Sequence, residues 1–152
     1  MGRRQAREAA MKTLYQMDVG GIDPEVAIKN TAEIEAITPD DLIFTRELVL
    51  GSTEHLSEID DTIAALSRDW NIERLARVDR NIMRMAIYEI LYRDDIPFSV
   101  TVNEAVELAK TFGSEDSGKF VNGVLGKVAR KNDGGALGET KGSDQIFEGR
   151  IG

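Results

Sequence analysis

The stretch from Arg77 to Tyr92, RVDRNIMRMAIYEILY, constrains this chain more than any other. Its Val78, Ile82, Met85, Ala86, Ile87, Ile90 and Leu91 take well over half the circumference of a helix. A helix that apolar has to be surrounded by others, so it reads as the central helix of a bundle. The strip left over is narrow and carries Arg77, Arg80 and Arg84 at i, i+3, i+7, which points the three charges one way. Two readings stay open for them: a solvent-facing basic stripe, or ion pairs with Asp79, Glu73 or neighbouring helices.

The rest of the chain supplies the surrounding helices. Residues 3 to 18 carry Ala6, Ala9 or Ala10, Leu14 and Met17 on one stripe, and Gly20-Gly21 ends the pattern. Asp23-Pro24-Glu25 reads as an N-cap followed by proline at the first helical position, opening a helix to about Ala36, and Thr38-Pro39-Asp40-Asp41 repeats that start. Phe44, Leu48, Ile59, Ile63 and Leu66 keep helical spacing, while Gly51-Ser52-Thr53 interrupts the stripe and should bend or split the element. His55 at that interruption reads as a surface or capping residue, and Trp70 as the anchor of a seam between two halves. Asp94 to Pro97 is a turn, after which Ser99 or Thr101 should start a helix containing Val102, Val106 and Ala109. Gly113 offers the left-handed position that ends it, and Ser114 or Asp116 can cap the last helix, built on Val121, Val124, Leu125 and Val128. The expectation is an all-α fold of about seven helices in two packed bundles, residues 1–68 and 69–131. The Gly- and charge-rich residues 132–152 are expected to form a flexible appendage.

Several function classes fall away on composition. There is no cysteine and one histidine among 152 residues, which removes thiol nucleophiles, disulfides and Cys/His zinc sites. No phosphate loop, dinucleotide fingerprint or nucleophile elbow occurs, and no carboxylate sits in an apolar setting suited to acid catalysis, so no enzyme, cofactor or metal is expected. No apolar run approaches the length of a membrane span, so the expected location is the cytoplasm.

A net charge of −8 opposes indiscriminate coating of nucleic acid, but the charge is unevenly spread. Arg3, Arg4, Arg7 and Lys12 make the first twelve residues basic against Glu8 alone. These arginines either form a solvated N terminus or an RNA arm, in which guanidinium groups fork onto phosphates and stack on unpaired bases. Lys119 and Phe120 stand side by side on the first turn of the last helix. Phe120 reads either as a stacking surface or as core packing against Val124.

The segments Asn103-Glu104-Ala105, Glu107-Leu108-Ala109-Lys110, Phe112-Gly113, Glu115-Asp116-Ser117 and Lys119 to Leu125 resemble the C-terminal signature of the NusB family. Arg3 to Glu8 with Leu14-Tyr15, and Arg84 to Glu89 followed by Ile96-Pro97, extend the resemblance over roughly residues 3 to 130. It implies a non-enzymatic antitermination factor that pairs with NusE, a ribosomal small-subunit protein, captures boxA RNA of ribosomal RNA leaders, and joins RNA polymerase with further Nus factors. Carried onto this chain, Arg3, Arg4 and Arg7 with Asp116, Lys119 and Phe120 would face RNA, aided by Arg77, Arg80 and Arg84, while Tyr15 and Asp79 would meet NusE. Gly118 stands where relatives often carry a larger residue, and Asp79 is one methylene shorter than the glutamate of some. Some relatives self-associate, so a homodimer is a further expectation. Two other functions compete: a helical protein adaptor without RNA contact, and a detached domain akin to those fronting RNA cytosine methyltransferases.

Overall fold

The computed structural model describes residues 3–67 and 71–128. Seven α-helices occur in order: α1 (Arg3–Gly20), α2 (Pro24–Glu35), α3 (Pro39–Glu54), α4 (Leu56–Leu66), α5 (Arg77–Tyr92), α6 (Phe98–Phe112) and α7 (Ser117–Leu125). A short 3-10 turn, Ile72–Arg74, precedes α5, and no strand occurs among the described residues. The all-α expectation is met.

Local chemistry sets several boundaries. Asp23 accepts the Glu25 amide at 3.1 Å ahead of Pro24, and Thr38 Oγ1 accepts the Asp41 amide at 3.2 Å ahead of Pro39, so both proline starts behave as read. α2 ends at Ala36 in the left-handed region, φ 52°. Gly51 does not itself break α3. A Cβ there would lie 2.2 Å from the Tyr88 ring, so the glycine exists to let α3 approach α5, and the split comes at His55. His55 is half-buried, and its ring stacks on Tyr92 with centroids 4.2 Å apart.

Three local expectations need correction. Gly113 is extended at φ −94°, ψ −164°, and not left-handed. Neither Ser114 nor Asp116 caps α7 with its side chain; instead Ser117 Oγ accepts the Ser114 amide at 2.9 Å and fills the space beside Gly113. α6 starts at Phe98 behind Pro97, which leaves Thr101 buried inside the helix as a donor to Glu89.

α5 is central, as its composition demands. Ile82, Met83, Met85, Ala86, Ile87 and Ile90 are all essentially sealed, and α1, α3, α4, α6 and α7 pack around them. Burying each large side chain contributes roughly 1.5–3 kcal/mol. One continuous apolar core joins residues from Ala6 to Val128, so the two halves share their interior. The expected boundary at 68/69, the seam anchor Trp70 and the tail 132–152 lie outside the described residues. α1 runs antiparallel to α5, since Arg7 meets Glu89 and Asp18 meets Arg80. It runs alongside α6 in the same direction, since Arg4 meets Glu104 and Lys12 lies over Phe112.

Candidate nucleic-acid interface

The three N-terminal arginines occupy three different environments. Arg3 is exposed on the first turn of α1, with its guanidinium carbon 4.4 Å from the centre of the Phe44 ring. Arg4, its side chain 66% exposed, forks onto Glu104 of α6 at 2.8 and 3.0 Å. That hydrogen-bonded pairing holds the Glu104 carboxyl below its ordinary range and raises Arg4 further. Arg7 points inward. It donates two bonds of 2.7 and 2.8 Å to the buried Glu89, which also accepts from Thr101 at 2.9 Å. Arg7 therefore ties α1, α5 and α6 together, and the expectation that it faces RNA is corrected: its donors are spent on an interior carboxylate.

The α5 stripe divides in a similar way. Arg77 is exposed, but Arg80 and Arg84 are not a free basic surface. Arg80 donates to Asp18 at 2.7 and 3.1 Å and to the Ile72 carbonyl at 2.8 Å. Arg84 forks onto Asp60 at 2.8 and 2.9 Å and reaches Asp18 at 3.5 Å. Asn81 adds a bond of 2.9 Å to Asp18. Burial alone would push the Asp18 carboxyl up, but the bonds from Arg80 and Asn81 and the charge of Arg84 outweigh it, and Asp18 titrates below its usual range. The ion-pair reading is the correct one for Arg80 and Arg84. Their partners are helices α1 and α4, and not the nearby Asp79 or Glu73.

At the other end, Asp116 is exposed just ahead of α7 and Lys119 is exposed on its first turn. Phe120 is half-buried and packed against the core, so it offers only part of its ring to solvent. α7 lies close on α6 because Gly118 is small: a Cβ there would stand 2.9 Å from Cγ of Lys110. α6 thus carries α7 on one flank and the Arg4 contact on another. Tyr15 is 39% exposed on α1, with Val19 one turn on at 53%. Asp79 is buried on the first turn of α5, and its Oδ1 has no hydrogen-bond partner among the described residues.

Glu89, Glu104, Asp18, Asp60 and Phe44 do not stand out as functional residues from sequence. Glu89 does carry a signal, since a carboxylate set among Ile87, Tyr88, Ile90 and Leu91 of the most apolar helix needs a buried cation. The others are ordinary residues on amphipathic helices, matched to arginines far along the chain.

The profile of the NusB family matches residues 4–130. The chain belongs to the NusB family. Among its NusB relatives, the transcription antitermination protein NusB of Desulforamulus reducens is 53% identical over 133 residues, covering 88% of this chain and 93% of the relative. The solved structure of T. maritima NusB has a TM-score of 0.77 at 40% identity, covering 83% of this chain and 89% of that one. A NusB solved in complex with NusE and double-stranded RNA has a TM-score of 0.75 at 32% identity, covering 82% and 92%. As a NusB-family member the chain is a transcription antitermination protein and not an enzyme. No helix among the described residues is long and apolar enough to cross a membrane.

Proposed function

We propose that this chain acts in the cytoplasm by binding single-stranded boxA RNA of ribosomal RNA leaders together with NusE, and that the complex joins elongating RNA polymerase and further Nus factors to suppress termination. The observation that carries this reading is the pair of outward guanidiniums, Arg3 and Arg4, at the positive end of α1, on an otherwise acidic chain. α6, which Arg4 touches, also supports α7 with exposed Lys119 and the partly exposed Phe120, so phosphate-binding charge and a stacking edge are linked through one helix. Asp116 joins this surface in our reading and Arg7 acts beneath it, whereas Arg77, Arg80 and Arg84 belong to the opposite end of α1, beside Asp18. The complex of a related NusB with NusE and RNA supports the choice of partners.

The NusE surface in this reading comprises exposed Tyr15 and Val19, with Asp79 buried beneath it and its Oδ1 shielded from a partner's donors. A gel shift with a boxA-like single strand, with and without NusE, tests the proposal. Tight binding that weakens with salt is expected, and replacing Arg3 and Arg4 together by glutamine should flatten the salt slope by about 0.7 for each phosphate that is no longer neutralised. Binding of NusE without any RNA shift would favour the protein-adaptor function. A homodimer covering the arginine face would appear as a heavier species in sedimentation that dissociates when RNA is added.

A further inference from the structure

Phe44 of α3 is 6% exposed, yet three guanidinium groups stand over its ring: Arg3 at 4.4 Å, Arg7 at 5.3 Å and Arg93 at 5.5 Å. Two of the three are fixed by carboxylates. Arg7 is held by Glu89, and Arg93 by Glu47 and Asp95. Arg3 makes no hydrogen bond or ion pair among the described residues; its charge is felt by the more distant Asp95 carboxylate, and the ring is its close contact.

The anchor differs in kind from the one that holds Arg4. A cation held by a π face has its charge partly compensated while its N–H donors stay unspent. Arg4, by contrast, has its Nε and one Nη2 donor engaged with Glu104, which leaves fewer donors and a partly neutralised charge for an incoming phosphate. An exposed arginine on the first turn of a helix otherwise samples many rotamers. Ordering such a side chain on binding opposes association, and a contact that orders it beforehand removes that cost.

Resting on the RNA-binding reading above, we propose that Phe44 is a positioning residue for nucleic acid, its ring holding the Arg3 guanidinium in place with donors free to fork onto an RNA phosphate. Phe44 does not touch the RNA. It acts through Arg3, and the fixed charges of Arg7 and Arg93 are neutralised by their own carboxylates, which leaves the ring's remaining attraction to Arg3.

The test replaces Phe44 in the full chain by mono-, di- and trifluorinated phenylalanines, which drain the negative π face at nearly constant volume. Binding of a boxA-like RNA oligonucleotide with NusE present is then titrated in the Arg3 and Arg3→Gln backgrounds. The expected result is a stepwise loss of affinity across the series, about two- to fivefold in total, with an unchanged melting temperature and a flat response in the Arg3→Gln background. Phe44→Tyr should bind like the parent and Phe44→Leu like the trifluorinated protein. Constant affinity across the series, or the same decline without Arg3, would overturn the proposal while leaving RNA binding intact. If instead Arg3→Gln with Arg4→Gln binds RNA as the parent does, the RNA-arm reading fails and this proposal with it.

Discussion

Arginines cluster at the start of α1 and along α5, and the two clusters have different fates. α1 carries Arg3, Arg4 and Arg7 and keeps two of them outward; α5 carries Arg77, Arg80 and Arg84 and keeps one. The difference follows from where carboxylates stand. Asp18 and Asp60 reach the middle of α5 from α1 and α4, so Arg80 and Arg84 become ties between helices. Glu89 draws in Arg7, but the first turn of α1 extends to the rim of the bundle, where Arg3 has a ring beneath it and no carboxylate within ion-pair distance, and Arg4 a partly exposed glutamate. Spacing along a helix fixes which charges share a face. Whether that face meets water or a neighbour depends on residues tens of positions away.

The sharpest way to break the comparison is to ask stability of the inward charges. Arg7→Leu leaves Glu89 buried without its cation, and unfolding by urea should show a loss of about 3–5 kcal/mol. Replacing both Arg7 and Glu89 by methionine should recover much of that loss, because no uncompensated charge remains. If the single substitution proves nearly neutral, Arg7 is not the internal tie described. Asp18→Asn comes next, at roughly 1.5–3 kcal/mol at pH 7, since it removes the anion that Arg80, Asn81 and Arg84 share. Its pH dependence has a definite sign. The folded Asp18 carboxyl lies below its ordinary value of 3.8, so its stabilisation is present above that value and disappears as pH falls through the lower, folded one. The gap between parent and Asp18→Asn should therefore narrow below about pH 4; a constant gap would mean the effect is packing and not charge.

Much of the fold was legible because it rests on local signals. Apolar periodicity marked α5 at its observed limits, and the Asp23-Pro24 and Thr38-Pro39 starts were visible because a cap needs only adjacent residues. For the candidate site residues, exposure was legible only in part. Arg3, Arg4 and Lys119 are exposed where the resemblance put them, but the inward turn of Arg7, Arg80 and Arg84 depends on carboxylates 24 to 82 residues away. Gly51 shows the same limit: it read as a helix breaker, yet its reason is the Tyr88 ring brought across by tertiary packing. The Gly113 and Ser114 expectations failed for a smaller cause: Ser117 fills the space beside Gly113 and its hydroxyl accepts the Ser114 amide, while the Ser117 amide that a cap would have taken donates to the Ser114 carbonyl.

The smallest expected change in stability belongs to the outward charges, and their effect should move to RNA. Arg77→Gln removes an exposed cation without an ion pair among the described residues, so unfolding should shift by no more than about 0.5 kcal/mol. Arg4→Gln breaks only a solvent-facing fork, and thermal melting should change little, whereas its boxA affinity and salt slope should both drop. Glu104→Gln separates two explanations of the same contact. If Glu104 merely occupies donors that a phosphate needs, weakening its hold should raise RNA affinity at low salt; if it orients Arg4 for RNA, affinity should fall. We expect the rise, because the Glu104 carboxylate neutralises the Arg4 charge and takes two of its five donors, both of which a phosphate would otherwise meet.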